Sequence, residues 1–524
     1  MKSIQIKNFR SLKDTGNIEL KPITVLVGKN SAGKSTFIRT FPLFKQSVEE
    51  RTRTPILLYS RTGVDFGTFQ DVKSIFANKN EYLEYKFTIP SININKIIRR
   101  NTVYHHSFLN NISDSIESDI SISMKINSDS KDTPILEILE LEIFDNVITL
   151  MFDTKKHIIE KIYINDEIIN LDSTLSYFNR GFIADRFIFR DTKSNRIRYD
   201  LEDYFEEKLL TLISSKVRKG TSFDNINSIL KRITLLNFKY DFYEYLIKQK
   251  TSLDTWNKKI KKLTIDSDFF KKLYEYTFLY NLENILQYAN NYLRETFHHV
   301  KYIAPVRATA ERYYRIQDLA IDEVDPYGQN LPMFIGSLSE TMMKNFQNWT
   351  ENNFGFKVKI KRIEGHYSIK IVYDDNFEVN ISDMGFGYSQ ILPIITQLWY
   401  SSEQRNRVLH PRLRDIPIIF VIEQPELHLH PEFQAKFADV IVKIINNIDN
   451  RKINMKLIIE THSQTIINRL GLNISKKRID KNKINIVIFN KLNENEPTKI
   501  STAIFDDDGL LENWPIGFFK PSSL

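Results

Sequence analysis

The sequence predicts an α/β fold that is organised around one glycine-rich loop. Residues 23–27 form a run that is apolar except for Thr24, which is typical of a buried strand in a parallel sheet. The loop follows at residues 28–36 (GKNSAGKST), and residues 37–40 predict the opening of a helix. Two further apolar runs, at residues 418–422 and 457–459, each end in a glutamate. Buried strands of this kind predict a mixed, largely parallel sheet with helices on its faces.

The loop matches the pattern GxxxxGK[ST] in the strand–loop–helix context that this pattern requires. Its glycines allow successive backbone N–H groups to surround phosphate oxygens at a helix N-terminus. We expect Lys34 to reach the β- and γ-phosphates and the Ser35 hydroxyl to ligate Mg²⁺. The predicted cofactors are ATP and Mg²⁺, and the predicted nucleotide-binding residues of the loop are Asn30, Ser31, Ala32, Gly33, Lys34, Ser35 and Thr36.

The composition is that of an ordinary globular protein with several lobes. The 524 residues are 42% apolar and 26% charged, and this length predicts two to four lobes. The sequence has no cysteine, which excludes disulfides and fits a reducing compartment. We see no signal-peptide pattern and no apolar run long enough for a bilayer, so we expect a cytoplasmic protein without membrane contact. A net charge of +8 permits contact with nucleic acid but does not indicate it.

The pattern of apolar residues changes twice in the middle of the chain. Residues 80–90 and 118–168 show the alternating, β-branched pattern of antiparallel strands. From residue 199 to residue 299, apolar residues recur at three- and four-residue steps, which predicts helices. We therefore predict a β-rich region at 76–198 and a helical lobe at 199–299, inserted between the two halves of the nucleotide-binding unit at 1–75 and 300–524.

Two groups of residues in the last part of the chain suggest further phosphate contacts. Gly385, Gly387 and Ser389 lie just before an apolar helical segment and can form a second phosphate-sized nest. They are predicted nucleotide-binding residues. Arg307 leads a basic cluster with Arg312 and Arg315, which can face a phosphate or a nucleic acid, or can simply be a solvated loop.

Acidic and polar residues follow the two later strands. Glu423 ends the apolar run at 418–422, and a carboxylate there suits the binding of Mg²⁺ or its waters. Gln424 and Glu426 come directly after it. His462 follows the other strand, beside a threonine and a serine, where it can contact a γ-phosphate or its attacking water.

Taken in order, these motifs resemble those of ABC-class AAA ATPases, in the branch that includes SMC-type and OLD-family proteins. The resemblance covers residues 1–75 and 300–524, and its most specific parts are the run EQPELHLHP at 423–431 and the run ETHS at 460–463. It implies an ABC-type P-loop ATPase head. In ABC-type ATPases a glutamine near the metal follows the first helix, which implies such a role for Gln70; an ordinary loop glutamine is an equally good interpretation.

The resemblance also implies an assembly. In this family the signature element of one copy closes over the nucleotide of another copy. We therefore expect a head-to-tail homodimer with two ATP molecules buried between the heads. Lys34 and Ser35 then act on the nucleotide of their own copy, whereas Gly385, Gly387 and Ser389 act across the interface.

One departure from the family pattern concerns the rate of hydrolysis. The family has Asp-Glu at the end of the second strand, whereas this sequence has Glu423-Gln424. Glu423 can still hold Mg²⁺, but a neutral amide at Gln424 cannot accept a proton from water. We expect slow hydrolysis, unless Glu426 or His462 takes over as the base. The candidate catalytic residues are therefore Glu423, Gln424, Glu426 and His462, and the candidate metal ligands are Ser35, Glu423 and Gln70.

A second departure concerns the nuclease domain that OLD-family proteins often carry. Only some sixty residues follow Ser463, and the acidic run at 506–508 is typical of a turn. We therefore expect no nuclease in this chain. The sequence resembles the ATPase subunits of Septu-type anti-phage systems, including retron-associated versions, which implies a separate HNH-type nuclease and, in retrons, a reverse transcriptase with its DNA–RNA hybrid. The alternative is a DNA repair ATPase of the SMC/RecF type that binds DNA directly.

Overall fold

The computed structural model describes the chain in these ranges: 1–61, 63–93, 117–178, 182–190, 197–233, 237–317, 321–373, 377–408, 416–450, 453–491 and 493–515. Within them, the strands form three sheets, and helices cover the sheets. None of the helices in these ranges combines the length and apolar character needed to cross a membrane.

The elements of the described chain are numbered in order. The strands are β1 (Ser3–Phe9), β2 (Leu12–Asp14), β3 (Ile18–Glu19), β4 (Ile23–Gly28), β5 (Leu83–Asn93), β6 (Glu117–Ser128), β7 (Pro134–Ile143), β8 (Asn146–Asp153), β9 (Ile158–Ile164), β10 (Glu167–Ile169), β11 (Leu175–Phe178), β12 (Arg186–Arg190), β13 (Ile197–Asp200), β14 (Val300–Ile303), β15 (Tyr314–Arg315), β16 (Lys357–Ile363), β17 (His366–Val372), β18 (Glu378–Asn380), β19 (Ile418–Glu423), β20 (Met455–Glu460), β21 (Ile484–Asn490), β22 (Lys499–Phe505) and β23 (Leu511–Glu512). The helices are α1 (Lys34–Ile38), α2 (Thr40–Glu49), α3 (Phe69–Val72), α4 (Leu201–Ser214), α5 (Phe223–Ile233), α6 (Lys239–Lys248), α7 (Asp254–Ile260), α8 (Asp268–His298), α9 (Leu331–Gly336), α10 (Glu340–Phe354), α11 (Phe386–Val408), α12 (Pro431–Asn450) and α13 (Gln464–Ser475).

The central sheet has the strand order β14-β19-β20-β4-β21-β22-β23. Its first five strands are parallel, and β22 and β23 extend it antiparallel. Strand β20 lies between the strand that precedes the glycine-rich loop and the strand that ends at Glu423. The carboxyl ends of the parallel strands therefore meet at one edge, which is where open α/β sheets bind ligands. The predicted α/β fold with a mixed sheet and flanking helices is confirmed.

Each face of the central sheet belongs to a different hydrophobic core. In β4, Ile23, Val25 and Val27 pack into the core formed with α11, α12 and α13. Leu26 points to the opposite side, into the core shared with the N-terminal strands and with α2 and α8. Because both faces are covered, the parallel strands are apolar at nearly every position, which is why they are readily recognised in the sequence.

The second sheet is antiparallel and joins the N-terminus to the middle of the chain. Its order is β13-β12-β11-β9-β8-β7-β6-β5-β1-β2, with β10 added to β9 and β3 added to β1. Strand β1 pairs with β5 from Ser3 opposite Thr88 to Lys7 opposite Glu84. A third sheet, β15-β17-β16 with β18 on β17, packs near α9 to α11.

Helix α8 connects the second sheet to the central one. Glu283 accepts a hydrogen bond from the backbone N–H of Phe187 at 2.6 Å, and burial raises the pKa of Glu283 to about 7. The side-chain oxygen of Asn290 accepts from the N–H groups of Phe182 (2.9 Å) and Ile183 (3.1 Å). These polar contacts fix the register of the 31-residue helix against the sheet.

Phe44, on helix α2, lies at the centre of an aromatic cluster. Its ring centroid is 4.9 Å from that of Tyr85, 5.2 Å from Phe87, 5.4 Å from Phe182 and 4.8 Å from Phe297. Phe44 is fully buried. The cluster therefore joins α2 to the second sheet and to the end of α8.

We expect Phe44→Ala to lower the free energy of unfolding by about 3–5 kcal/mol, because it removes a buried ring and leaves a cavity at this junction. Urea denaturation followed by circular dichroism measures the change. Phe223→Ala is the matched control, since that ring is 62% exposed, and it should change the value by less than about 0.5 kcal/mol. Equal effects of the two variants would contradict the described packing of α2.

Candidate nucleotide-binding site

The loop between β4 and α1 is held in a conformation that requires glycine at two positions. A Cβ at Gly28 would overlap the backbone carbonyl of Phe489, on the neighbouring strand β21. Gly33 has a φ of +89°, and a Cβ there would press on Ser11 and Leu12. Both glycines of the motif thus allow the backbone to curl tightly between the strand and the helix.

Lys34 lies inside this loop. Its side chain is 3% exposed, and its ammonium donates hydrogen bonds to the carbonyl oxygens of Gly28 at 3.0 Å and Lys29 at 2.8 Å. Burial lowers the pKa of Lys34, while the charges of Glu460 and Glu426 act in the opposite direction. A phosphate entering the loop would replace neutral acceptors with charged ones, which bind an ammonium more strongly.

The other predicted loop residues divide into an exposed and a buried group. Asn30 and Ser31 are exposed at the tip of the loop, and Ser31 has a left-handed backbone with φ of +59°. Ala32 is buried, and its carbonyl accepts a hydrogen bond from the Thr498 hydroxyl at 3.0 Å. Thr36 is half-buried in the first turn of α1. Their contacts with a nucleotide stay a prediction.

Ser35 is hydrogen-bonded to Glu460, a residue that sequence reasoning did not select. The hydroxyl of Ser35 lies 2.9 and 3.1 Å from the two carboxylate oxygens, and the Lys34 ammonium lies 3.8 Å from the same carboxylate. Burial, and then the charge of Glu423, raises the pKa of Glu460 to about 7. The signal in the sequence was the glutamate that ends the third apolar run, but its importance depends on β20 lying beside β4.

Glu423 lies directly opposite Glu460 on the neighbouring strand. Arg39 donates to both of its carboxylate oxygens, at 2.8 and 2.9 Å, and the Tyr302 hydroxyl donates at 2.6 Å. This ion pair raises the pKa of Arg39. The described side-chain hydrogen bonds of Glu423 are made with Arg39 and Tyr302, whereas Ser35 is bonded to Glu460. The metal-binding and catalytic roles of Glu423 stay predictions.

The turn after β19 is hydrogen-bonded to the end of β20 and to the turn that follows it. Gln424 has a left-handed backbone with φ of +44°, and its N–H donates to the carbonyl of Glu460 at 2.8 Å. Glu426 then accepts hydrogen bonds from the Thr461 hydroxyl at 2.8 Å and from the backbone N–H of His462 at 2.6 Å. Burial raises the pKa of Glu426. Glu426 and His462, the two residues predicted as alternatives to the missing base, therefore lie next to each other.

His462 presents an exposed side chain at the same edge of the sheet. Loss of hydration around its ring, and then the charge of Lys34, lowers the pKa of His462. The imidazole is therefore neutral at pH 7 and can either donate or accept a hydrogen bond. The structure thus brings together Lys34, Ser35, Glu426 and His462. Their catalytic and binding roles stay predictions.

The second glycine-containing turn packs against the turn that follows β19. Gly385 precedes α11 and has open space around its Cα, whereas the carbonyl of His428 is 3.0 Å from the place that a Cβ of Gly387 would take. The hydroxyl of Ser389 donates to the carbonyl of Phe386 at 2.7 Å. The Phe386 ring is 51% exposed and lies 5.3 Å from the His428 ring. Nucleotide binding across a dimer interface by this turn stays a prediction.

Gln70 lies on the one-turn helix α3, and its side chain is exposed. Its backbone N–H donates to the Asp132 carboxylate at 3.3 Å. No hydrogen bond among the described residues joins Gln70 to Ser35 or Glu423, and its predicted role as a metal ligand stays a prediction.

The oxygen donors of the site fit Mg²⁺. Mg²⁺ in proteins is usually bound through one or two carboxylates, with phosphate and water oxygens completing the octahedron. The Ser35 hydroxyl and the carboxylates of Glu460 and Glu423 supply such donors at one edge of the sheet. The loop beside them has the buried glycines and the ammonium that a triphosphate needs.

A family model for the AAA ATPase domain matches residues 1–467. The chain belongs to the AAA ATPase domain family. Membership of this family implies nucleotide binding, and the assignment of the loop described above as the binding site stays a prediction. The matched range spans the β-rich and helical middle of the chain, which the motifs alone had left outside the resemblance.

No curated protein matches this AAA ATPase. Among solved structures, it is similar to the SMC head domain with an extended coiled coil bound to the C-terminal domain of ScpA from Pyrococcus furiosus, with a TM-score of 0.33 and 10% identity over 96% of this chain and 95% of that chain. It is also similar to the SMC head domain from Thermotoga maritima, with a TM-score of 0.31 and 9% identity over 96% of this chain and 98% of that chain.

We expect Glu460→Gln to reduce the gain in ATP affinity that Mg²⁺ provides by about tenfold or more, because a carboxylate beside Ser35 is lost. Titration with a fluorescent ATP analogue, in Mg²⁺ and in EDTA, measures the gain. Glu432→Gln is the control, since Glu432 is an exposed carboxylate paired with Lys436 on α12, and it should leave the gain unchanged. An unaltered Mg²⁺ dependence in Glu460→Gln would remove Glu460 from the metal site.

Proposed function

We propose that this ATPase is a nucleotide-operated switch. ATP binding closes two copies of the chain head-to-tail, and slow hydrolysis releases them. The observation that carries the proposal is the neutral Gln424 directly after Glu423, at the edge of the sheet where Lys34, Ser35 and Glu460 converge. A site that retains the binding groups and lacks an obvious base is suited to holding ATP longer than consuming it.

In this proposal the residues of the loop bind and orient the triphosphate. Lys34 moves from its own loop carbonyls to the phosphates, and the Ser35 hydroxyl, with Glu460 and Glu423, holds Mg²⁺ or its waters. Bound Mg²⁺ would neutralise part of the phosphate charge. Arg39 keeps Glu423 in place from the side of α1.

Slow hydrolysis follows from how the remaining polar groups are engaged. The Gln424 amide cannot accept a proton from the attacking water. The carboxylate of Glu426 already accepts the Thr461 hydroxyl and the His462 N–H, which hold it toward β20. His462 is the neutral group that can still position a water, and we assign it that role.

The dimer places the turn at Gly385, Gly387 and Ser389 over the nucleotide of the second copy. Support comes from the family resemblance of this turn and from the exposed ring of Phe386 beside the open Gly385. Aromatic side chains are enriched in the buried cores of protein interfaces.

The finer proposal is that the switch regulates a separate effector nuclease in a bacterial anti-phage defence complex. Its support is the motif resemblance to Septu-type ATPase subunits, carried by Glu423 to Pro431 and by Glu460 to Ser463. The expected partners are an HNH-type nuclease and, in a retron, the reverse transcriptase with its DNA–RNA hybrid. The closed ATP-bound dimer would hold this nuclease restrained, and a phage signal would shift the assembly.

We expect the isolated chain to leave DNA and RNA uncut in Mg²⁺ or Mn²⁺, and to bind duplex DNA only weakly at physiological salt. Gel-based cleavage assays and fluorescence anisotropy at several salt concentrations measure both. Cleavage by the isolated chain would contradict the separate nuclease. Tight binding that falls steeply with salt would instead favour the DNA repair alternative, because that dependence reports direct contacts with phosphates.

We expect wild-type protein to dimerise on addition of ATP and to turn it over more slowly than about 1 s⁻¹, the lower end of the usual range for enzymes. Gln424→Glu should raise turnover by about tenfold or more, because it supplies a carboxylate base, and should shorten the life of the dimer. Light scattering after size-exclusion chromatography and a phosphate-release assay measure these quantities.

Lys34→Ala should abolish both ATP binding and dimerisation, whereas Lys476→Ala, which changes an exposed lysine after α13, should behave as wild type. Brisk wild-type turnover, or unaltered turnover in Gln424→Glu, would refute the missing-base argument. A monomer at saturating ATP would refute the dimer.

A further inference from the structure

Arg307 is a buried arginine at the ligand-binding edge of the central sheet. It follows the carboxyl end of β14 by four residues, and it is only 2% exposed. Of the basic cluster seen in the sequence, Arg312 instead forms an exposed ion pair with Asp383, and Arg315 is exposed in β15. Of these three arginines, Arg307 is the one that does not fit the interpretation of the cluster as a solvated loop.

The contacts of Arg307 connect two parts of the molecule. Its Nη2 donates to the backbone carbonyl of Glu423 at 2.9 Å. Its backbone N–H donates to the side-chain oxygen of Gln390, and its carbonyl accepts from the side-chain nitrogen of Gln390, both at 3.2 Å. Gln390 is 1% exposed and lies in the first turns of α11. Arg307 thus links the end of β19 to the helix that begins at the second glycine-containing turn.

Two nitrogens of this guanidinium, Nε and Nη1, have no hydrogen-bond partner in the part of the chain that the structure describes. The nearest carboxylates are already engaged: Glu423 with Arg39 and Tyr302, and Glu426 with the turn after β20. Burial lowers the pKa of Arg307 to about 10, so the group stays charged at pH 7. A buried cation with unused donors is unfavourable until an acceptor reaches it.

The position of Arg307 indicates which acceptor would pair with its Nε and Nη1. Glu423 ends β19, and the glycine-rich loop leaves β4, which is two strands away in the parallel sheet. Neighbouring strands are about 4.8 Å apart, so these two strand ends are separated by roughly 10 Å. Nη2 of Arg307 lies at the end of β19, and the charge of Glu426 influences the pKa of both Arg307 and Lys34. Both side chains therefore lie at the edge where the proposed triphosphate binds. A phosphate is a tetrahedral anion with several acceptor oxygens, two of which can bind the planar guanidinium fork at once.

We propose that Arg307 is a positioning residue that recognises the terminal phosphate of ATP and reports its presence to α11 through Gln390. The proposal rests on the proposed function, because it requires ATP in the loop. ADP lacks the group that Nε and Nη1 bind, so ADP leaves them unpaired. Arg307 then makes the second glycine-containing turn, and through it the dimer, sensitive to ATP and not to ADP.

The first test compares a non-hydrolysable ATP analogue with ADP. We expect Arg307→Met to lower affinity for the analogue by about tenfold or more while leaving affinity for ADP within about twofold, since a charge-assisted Arg–phosphate contact is lost. Arg307→Lys should lose part of the selectivity, because an ammonium lacks the planar fork that lets a guanidinium bind the Glu423 carbonyl with one nitrogen and a phosphate with the others. Arg315→Met is the matched control and should retain wild-type selectivity for the analogue.

The second test separates phosphate recognition from its transmission. Gln390→Ala should retain selectivity for the ATP analogue but lose analogue-driven dimerisation, and hydrogen exchange in the first turns of α11 should no longer respond to the analogue. Melting temperatures without nucleotide identify variants that do not fold; if Arg307→Met is one of them, Arg307→Lys decides the question.

Unchanged selectivity in Arg307→Lys and Arg307→Met would overturn the proposal. Equal losses of affinity for the analogue and for ADP would also overturn it, because they indicate a purely structural arginine. If wild-type protein binds neither nucleotide, the proposed function itself fails, and that result is distinct because it is seen before any substitution is made.

Discussion

The hydrogen bond between Ser35 and Glu460 joins two parts of the chain that are 425 residues apart. It exists because β20 is inserted between β4 and β19, so that three strand ends meet at one edge. Parallel strands require long connections, and here those connections carry the second sheet, the long helix α8 and the third sheet. Lys34, Ser35, Glu423 and Glu460 therefore become neighbours only when strands from distant parts of the chain pair in one sheet.

The features that could be predicted from the sequence are the local ones. A buried parallel strand is apolar throughout, and the loop from Gly28 to Thr36 carries its own conformational requirements, so both are visible in a short window. The acid that ends β19 was recognised for the same reason. The alternating strands of the second sheet and the helical periodicity that follows it are also short-range patterns.

The features that were missed depend on which strands are neighbours. Glu460 looked like part of a strand end, and only the order β19-β20-β4 brings it to Ser35. Arg307 looked like one of three loop arginines, and only burial under α11 distinguishes it from Arg315. Strand order and helix packing are set by contacts between distant residues, which no local window contains. Gln70 illustrates the converse, because a plausible position in the sequence is not matched by a described contact with Ser35.

The balance of charge explains why an amide is favourable at position 424. The carboxylates of Glu423, Glu426 and Glu460 face the cations of Arg39, Arg307 and Lys34, and His462 is neutral. The negative charge of Glu423 already repels that of Glu460 and contributes to the raised pKa of Glu460. A fourth carboxylate would add repulsion in a buried region, both before the nucleotide arrives and against its phosphates. Gln424 keeps the hydrogen-bonding shape of a glutamate without this charge, and in the proposed switch this favours retention of a bound triphosphate over its rapid hydrolysis.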